Sequence, residues 1–133
     1  MKITKKYLDT FDLTLSLPIV RTKEVNDKYN KHKIDLEKTG VKLHEHVLEN
    51  TLKNYEYIIA KNLYPYHLEK NLFHYVYWIH PDYPNRDNDI EIYNNINLFM
   101  KNNLFDGYWC WENNYLNKSI PEIKHYQIIF MRC

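Results

Sequence analysis

A chain of 133 residues with 26% charged and 44% apolar residues has an ordinary globular composition. Its formal net charge of +1 gives no global pull towards nucleic acid or an anionic membrane. No apolar run approaches the roughly 20 residues that cross a bilayer, and two cysteines, Cys110 and Cys133, exclude a disulfide framework or a cysteine metal cage.

The basic start of "MKITKKYLDTFDLTLSLPIV" is interrupted by Asp9 and Asp12, so no signal peptide is expected and a reducing, cytoplasmic setting is the default. Segment 11–20 alternates Phe11, Leu13, Leu15 and Leu17 and predicts an extended stretch packed on something larger. From about Thr22 the spacing of Val25, Tyr29 and Leu36 predicts a helix that stops at Gly40, a residue type that commonly caps helices. "KLHEHVLENTLK" predicts a second helix through Leu43, Val47, Leu48 and Leu52.

Then the period changes. "NYEYIIAKN" and "FHYVYWIHP" are short and rich in Tyr, Ile, Val and Trp, which predicts two strands, with "LYPYHLEKN" as an irregular connection. "PDYPNRDND" is a loop by its Pro, Asn and Asp content. It leads into a helix over 88–103 carrying Ile92, Ile96, Phe99 and Met100 on one side. "GYWCWEN" and "KHYQIIFMR" complete the order as two further strands. Two helices, two strands, one helix and two strands imply an α+β fold, an antiparallel sheet of four to five strands with packed helices. One domain is expected, with 1–54 as an N-terminal extension of an extended segment and two helices, and 55–133 as sheet and helix.

Lys outnumbers Arg fifteen to three, and sixteen Asn and thirteen Tyr accompany it. That bias suits an AT-rich coding genome, as in some protists and large DNA viruses, so Asn-rich clusters such as "YNNINLFMKNN" carry no functional weight. The two glycines, Gly40 and Gly107, are too few for a phosphate-cradling loop of the dinucleotide or P-loop kind.

The order of several separated motifs resembles the histidine-triad superfamily of nucleotide hydrolases and transferases. They are "NLYPY" (62–66), "HYVYWIHP" (74–81), the helix over 88–103, "WCWENN" (109–114), "KSIP" (118–121) and "KHYQII" (124–129). Over nearly the whole chain the sequence is similar to a fungal family called N-acetylglucosamine-induced proteins, whose reaction is unknown. The similarity runs through "LPIVRTKEVNDKY", then Asn62, Pro65 and Tyr66, then His74, Val76 and Trp78, and finally Trp111, Asn114, Ser119, Ile120 and His125. The resemblance implies a histidine-triad-like (HIT-like) fold, a nucleotide or other phosphate ester as ligand, no cofactor, and a homodimer. Two departures stand out. Where the triad alternates three histidines this chain has Ile123, His125 and Gln127, and the glycine-rich turn before the motif is replaced by "NYLNKSIP".

In a strand His125 and Gln127 share one face. His125, at the middle position, is the candidate nucleophile towards phosphorus. Gln127 is the candidate donor to a non-bridging oxygen, a role the H-x-Q ending of the hexose-1-phosphate uridylyltransferase branch implies. Ser119, Asn114, His74, Asn62 and Trp111 are the candidate ligand contacts. The bland alternatives are a sheet histidine bonded to a carbonyl, and aromatics that only pack across strands. Trp109 and Trp111 lie on one face and Tyr108 and Cys110 on the other, and spacing alone does not say which faces a ligand.

Metal chemistry is not expected. His44 and His46 sit about 160° apart on a helix, and neither H-E-x-x-H nor a cysteine pair is present. His80, Asp82, Asp87 and Asp89 form a loop cluster that reads better as a solvated helix start than as a cation site. Three functions stay open: a nucleotide hydrolase or transferase acting through His125, a triad-like binding or protein-interaction module without catalysis, and single-stranded nucleic-acid binding by aromatic strands. The near-neutral charge disfavours the last.

Overall fold

The structure, a computed structural model, describes residues 1–12, 20–113 and 120–133. Four antiparallel strands form its sheet: β1 (Tyr57–Lys61), β2 (Leu72–Ile79), β3 (Gly107–Trp111) and β4 (His125–Met131), in the order β1-β2-β4-β3. The helices are α1 (Lys5–Thr10), α2 (Lys23–Thr39), α3 (Leu43–Val47) and α4 (Asp89–Asn102), and α3 runs on as a π-helical turn over Leu48–Leu52. The α+β class, the antiparallel sheet and all four strands match the expectation from sequence.

The register decides the two faces of the sheet. Trp78 pairs with His125, Val76 with Gln127 and His74 with Ile129, while Trp111 pairs with Gln127 from the other side. Directly paired residues share a face, so these side chains all lie on one side. On the opposite side Tyr77, Ile128 and Phe130 pack with Ile92 and Ile96 of α4. That layer is the larger core. α4 begins at the N-cap Asn88, whose side chain accepts from the Glu91 N–H, and Asp89 and Glu91 occupy its positive end.

The N-terminal elements cover the His125 face in two patches. Ile3 and Leu8 pack with Tyr66, Leu72, Trp111 and Ile129, and Phe11 and Val20 join that patch. Val47 and Leu52 pack with Ile120 and Ile123, against Ile58 and Trp78. α2 is capped as expected: Thr22 accepts from the Val25 N–H, and Gly40 takes φ 76°, where a Cβ would be strained. α1 is a helix that the alternation argument leaves unassigned. It is six residues long, buries only Leu8, and is set by the Thr4 N-cap. Leu13, Leu15 and Leu17 of the expected extended segment lie outside the described residues.

Candidate functional site

Between the two N-terminal patches the helices do not close on the sheet, and a cavity of about 150 Å³ remains. His125 and Gln127 form part of its floor, with Val76 and Trp78 beside them. Arg21, His32 and His46 come from the N-terminal elements, and Lys61, Asn62 and Tyr64 come from the end of β1 and the turn after it.

His125 is 4% exposed, and its Nδ1 lies 2.8 Å from the Ile123 carbonyl oxygen. A carbonyl only accepts, so Nδ1 carries the proton and the neutral ring holds its lone pair on Nε2. The Trp78 ring lies over the imidazole, with centroids 4.6 Å apart and planes at 36°. The backbone bond and the indole together fix the ring's orientation.

Gln127 is set from behind. The Tyr66 N–H donates to His74 Nδ1 at 3.1 Å, so the neutral His74 carries its proton on Nε2. That Nε2–H then donates to Gln127 Oε1 at 2.6 Å. With its carbonyl engaged, Gln127 has only its NH2 group to offer a ligand. His74 is 4% exposed, and burial pushes its imidazole down to about 4, with the Gln127 bond acting the other way and the Arg21 charge adding to the lowering. His74 is therefore neutral near pH 7, as its two hydrogen bonds require.

Arg21 is a residue the site argument from sequence does not pick out. Its Nε donates to the Tyr64 carbonyl at 2.8 Å, and its guanidinium lies over Tyr29 (4.8 Å) and Tyr66 (5.5 Å). Among the described residues no carboxylate pairs with it, and no carboxylate lines the cavity. A guanidinium held by its Nε and two aromatic faces keeps its outer N–H groups in a fixed fork suited to an oxyanion. Its signals in the sequence are rarity, as one of three arginines beside fifteen lysines, and its place in the stretch "LPIVRTKEVNDKY".

The remaining sequence candidates fall as follows. Asn62 lines the cavity, and its Oδ1 accepts from the Tyr64 N–H at 2.8 Å, which forms the turn. Trp111 is 3% exposed and does not line the cavity; its Nε1 donates to Asn113 Oδ1 at 2.9 Å. Asn113, which does line it, acts on the Tyr66 phenol against the burial that raises its pKa. His74 acts through Gln127 and is not part of the cavity wall. Asn114 and Ser119 lie outside the described residues.

Histidines 44 and 46 do point apart. His44 Nδ1 lies 3.9 Å from Glu122, whereas His46 lines the cavity. Among the described residues no three His, Cys, Asp or Glu side chains gather as metal ligands. In the loop before α4, His80 accepts from the Asp82 N–H and Asp87 pairs with Lys124. No helix among the described residues is long and apolar enough to cross a membrane.

A comparison with protein-family models gives no match, and a comparison with curated proteins gives none either. Among solved structures, the crystal structure of HTC1 is similar at 21% identity with a TM-score of 0.49, covering 86% of this chain and 77% of that one. A similarity at that level carries no argument about what this chain does.

Proposed function

We propose that the cavity binds a nucleotide or another phosphate ester, with His125 as the nucleophile of a hydrolase or nucleotidyl transferase. One observation supports this above others. His125 and the Gln127 amide open into the same space as Arg21 and Lys61, and no carboxylate lines that space among the described residues. A cavity with cationic and neutral donors and no acid suits an anion. The motif order that resembles the histidine-triad superfamily points the same way.

In the catalytic form of the reading, the Nε2 lone pair of His125 attacks phosphorus. An N–P bond forms as the bond to the leaving group breaks, and the leaving group takes its proton from solvent. Water then attacks the phosphorylated or nucleotidylated imidazole, breaks the N–P bond and returns the neutral ring. The Gln127 NH2 and the outer N–H groups of Arg21 stabilise the non-bridging oxygens as charge builds on them. The test is turnover of a panel of nucleoside phosphoramidates and dinucleotides. His125→Ala abolishes it if the reading holds, and turnover equal to wild type eliminates the nucleophile role.

One observation favours a second reading, binding without catalysis. Ile123, at the place of the first triad histidine, is 1% exposed and packs with Val47, Leu52 and Ile120. Hydrocarbon has replaced an imidazole there. Under this reading phosphate esters bind, and the panel is not turned over by wild type.

A further inference from the structure

The wall of the cavity opposite the sheet carries two more imidazoles. His32 of α2 and His46 of α3 meet edge to face, with ring centroids 4.9 Å apart. Asn50 Nδ2 lies 3.1 Å from His46 Nδ1, so the neutral His46 ring carries its proton on Nε2. The His32 ring touches Tyr64 and His46, and no hydrogen bond holds its nitrogens among the described residues. Both rings line the same cavity as His125 and Gln127.

The charges around the pair are unbalanced. From α2, Asp35 acts on His32 favourably to its charged form, and Tyr29 packs on the same Tyr64 ring that His32 touches; from α3 comes His46 itself. The turn after β1 brings Tyr64, and Arg21, Lys61 and, from β4, His125 complete the surroundings. Burial holds the His32 imidazole below its ordinary value, and the charge of His46 adds to that lowering. Two imidazolium ions at contact distance, in a cavity that Arg21 and Lys61 also line, repel one another, and an entering anion offsets that repulsion.

We infer that His32 and His46 are a proton-accepting contact for the ligand, so that a phosphate monoester binds as its dianion with uptake of a proton from solvent by the pair. This rests on the phosphate-ester reading above and adds a substrate class to it. Arg21 and Lys61 offset part of a bound anion's charge, and the stronger field of a dianion is what draws a proton onto the imidazoles. A monoester is therefore preferred over a diester, which carries one charge. No bond to phosphorus is made by either ring; the pair changes only its protonation.

The sign follows from linkage. A site that gains a proton on binding binds more tightly as pH falls through the imidazole range, by up to about tenfold per pH unit for one proton.

The experiment is calorimetric titration of the full chain with a nucleoside 5′-monophosphate between about pH 8 and about pH 6, in buffers of different ionisation enthalpy. A nucleoside 3′,5′-cyclic phosphate serves as the diester. His32→Gln, His46→Gln and the double variant are titrated alongside. The proton that the monoester itself gains near neutral pH is common to all four proteins, so the difference between them reads the imidazoles. The expected result is a steeper pH dependence and a larger proton uptake in wild type than in the double variant, with the monoester bound more tightly than the cyclic diester. Binding with the same pH slope in all four proteins overturns the inference and leaves the phosphate-ester reading standing. No binding of either ester by wild type at any pH overturns both.

Discussion

His74 Nε2 donates to Gln127 Oε1 across 2.6 Å, and this bond decides which end of the Gln127 amide meets the cavity. Because the Tyr66 N–H occupies Nδ1, the imidazole has one proton to give and one place to give it. His74→Phe removes both partners at once and leaves the Gln127 carbonyl and the Tyr66 amide unsatisfied in a buried layer. Each orphaned group costs about 1–3 kcal/mol. A urea titration reads this as a lowered midpoint, and a variant as stable as wild type contradicts the geometry.

The same imidazole makes stability pH-dependent. Its value in the folded chain is about 4, below the ordinary 6.5. Below that ordinary value the unfolded chain binds the proton and the folded chain resists it. The contribution is therefore complete above about pH 6.5 and lost as pH falls towards about 4, on the order of 3 kcal/mol in all. Thermal melts of wild type and His74→Phe across that window check it. Wild type loses stability faster on acidification than the variant, and parallel curves contradict the assignment.

Arg21 lines the cavity with its Nε already engaged, and under the proposed reading its outer N–H groups are donors to the phosphate. Arg21→Met removes charge-assisted hydrogen bonds of about 1.5–3 kcal/mol, a loss of about 10- to 100-fold in affinity for a phosphate ester. Arg21→Lys keeps the charge and loses the fork and the stacking on Tyr29 and Tyr66, so it recovers part of the affinity. Equal affinity in Arg21→Met and wild type, measured by calorimetry, contradicts the role given to Arg21.

The two thiols separate by environment. Cys110 lies on the α4 side of the sheet, and burial pushes its thiol up to about 12. Cys133 is exposed, with a pKa raised by the Asp106 carboxylate. The thiolate is the reactive form, so a disulfide reagent at mild alkaline pH modifies Cys133 in the folded chain and reaches Cys110 only on unfolding. Mass spectrometry of the modified peptides reads this directly. Rapid labelling of Cys110 in the folded chain contradicts its placement.

Much of the sheet was legible in the chain. "HYQIIFM" alternates polar and apolar residues only at its start, and the shared face of His125 and Gln127 followed from the two-residue period alone. α2 was readable from Thr22 to Gly40 because both caps are local chemistry. The cavity wall was not readable. Arg21, His32 and His46 meet at the cavity only because the segment before α2, α2 itself and α3 come together around Tyr64, and no local period reports contacts made over such a separation. Which tryptophan lines the cavity was equally hidden, because Trp78 and Trp111 share a face and only the packing over it separates them: Trp78 stands over His125, while Trp111 packs in the patch with Ile129. His74 shows the limit most clearly. Its strand position was evident, but its place behind Gln127 depends on a backbone N–H eight residues earlier.

The most direct test of the central claim is an NMR titration with a nucleoside 5′-monophosphate that follows two signals, the Gln127 side-chain NH2 and the His125 imidazole. Saturable shifts of both, at one common affinity and absent with the unphosphorylated nucleoside, are the predicted result. Saturating phosphate ester that leaves both signals where they were contradicts a phosphate site on this face of the sheet.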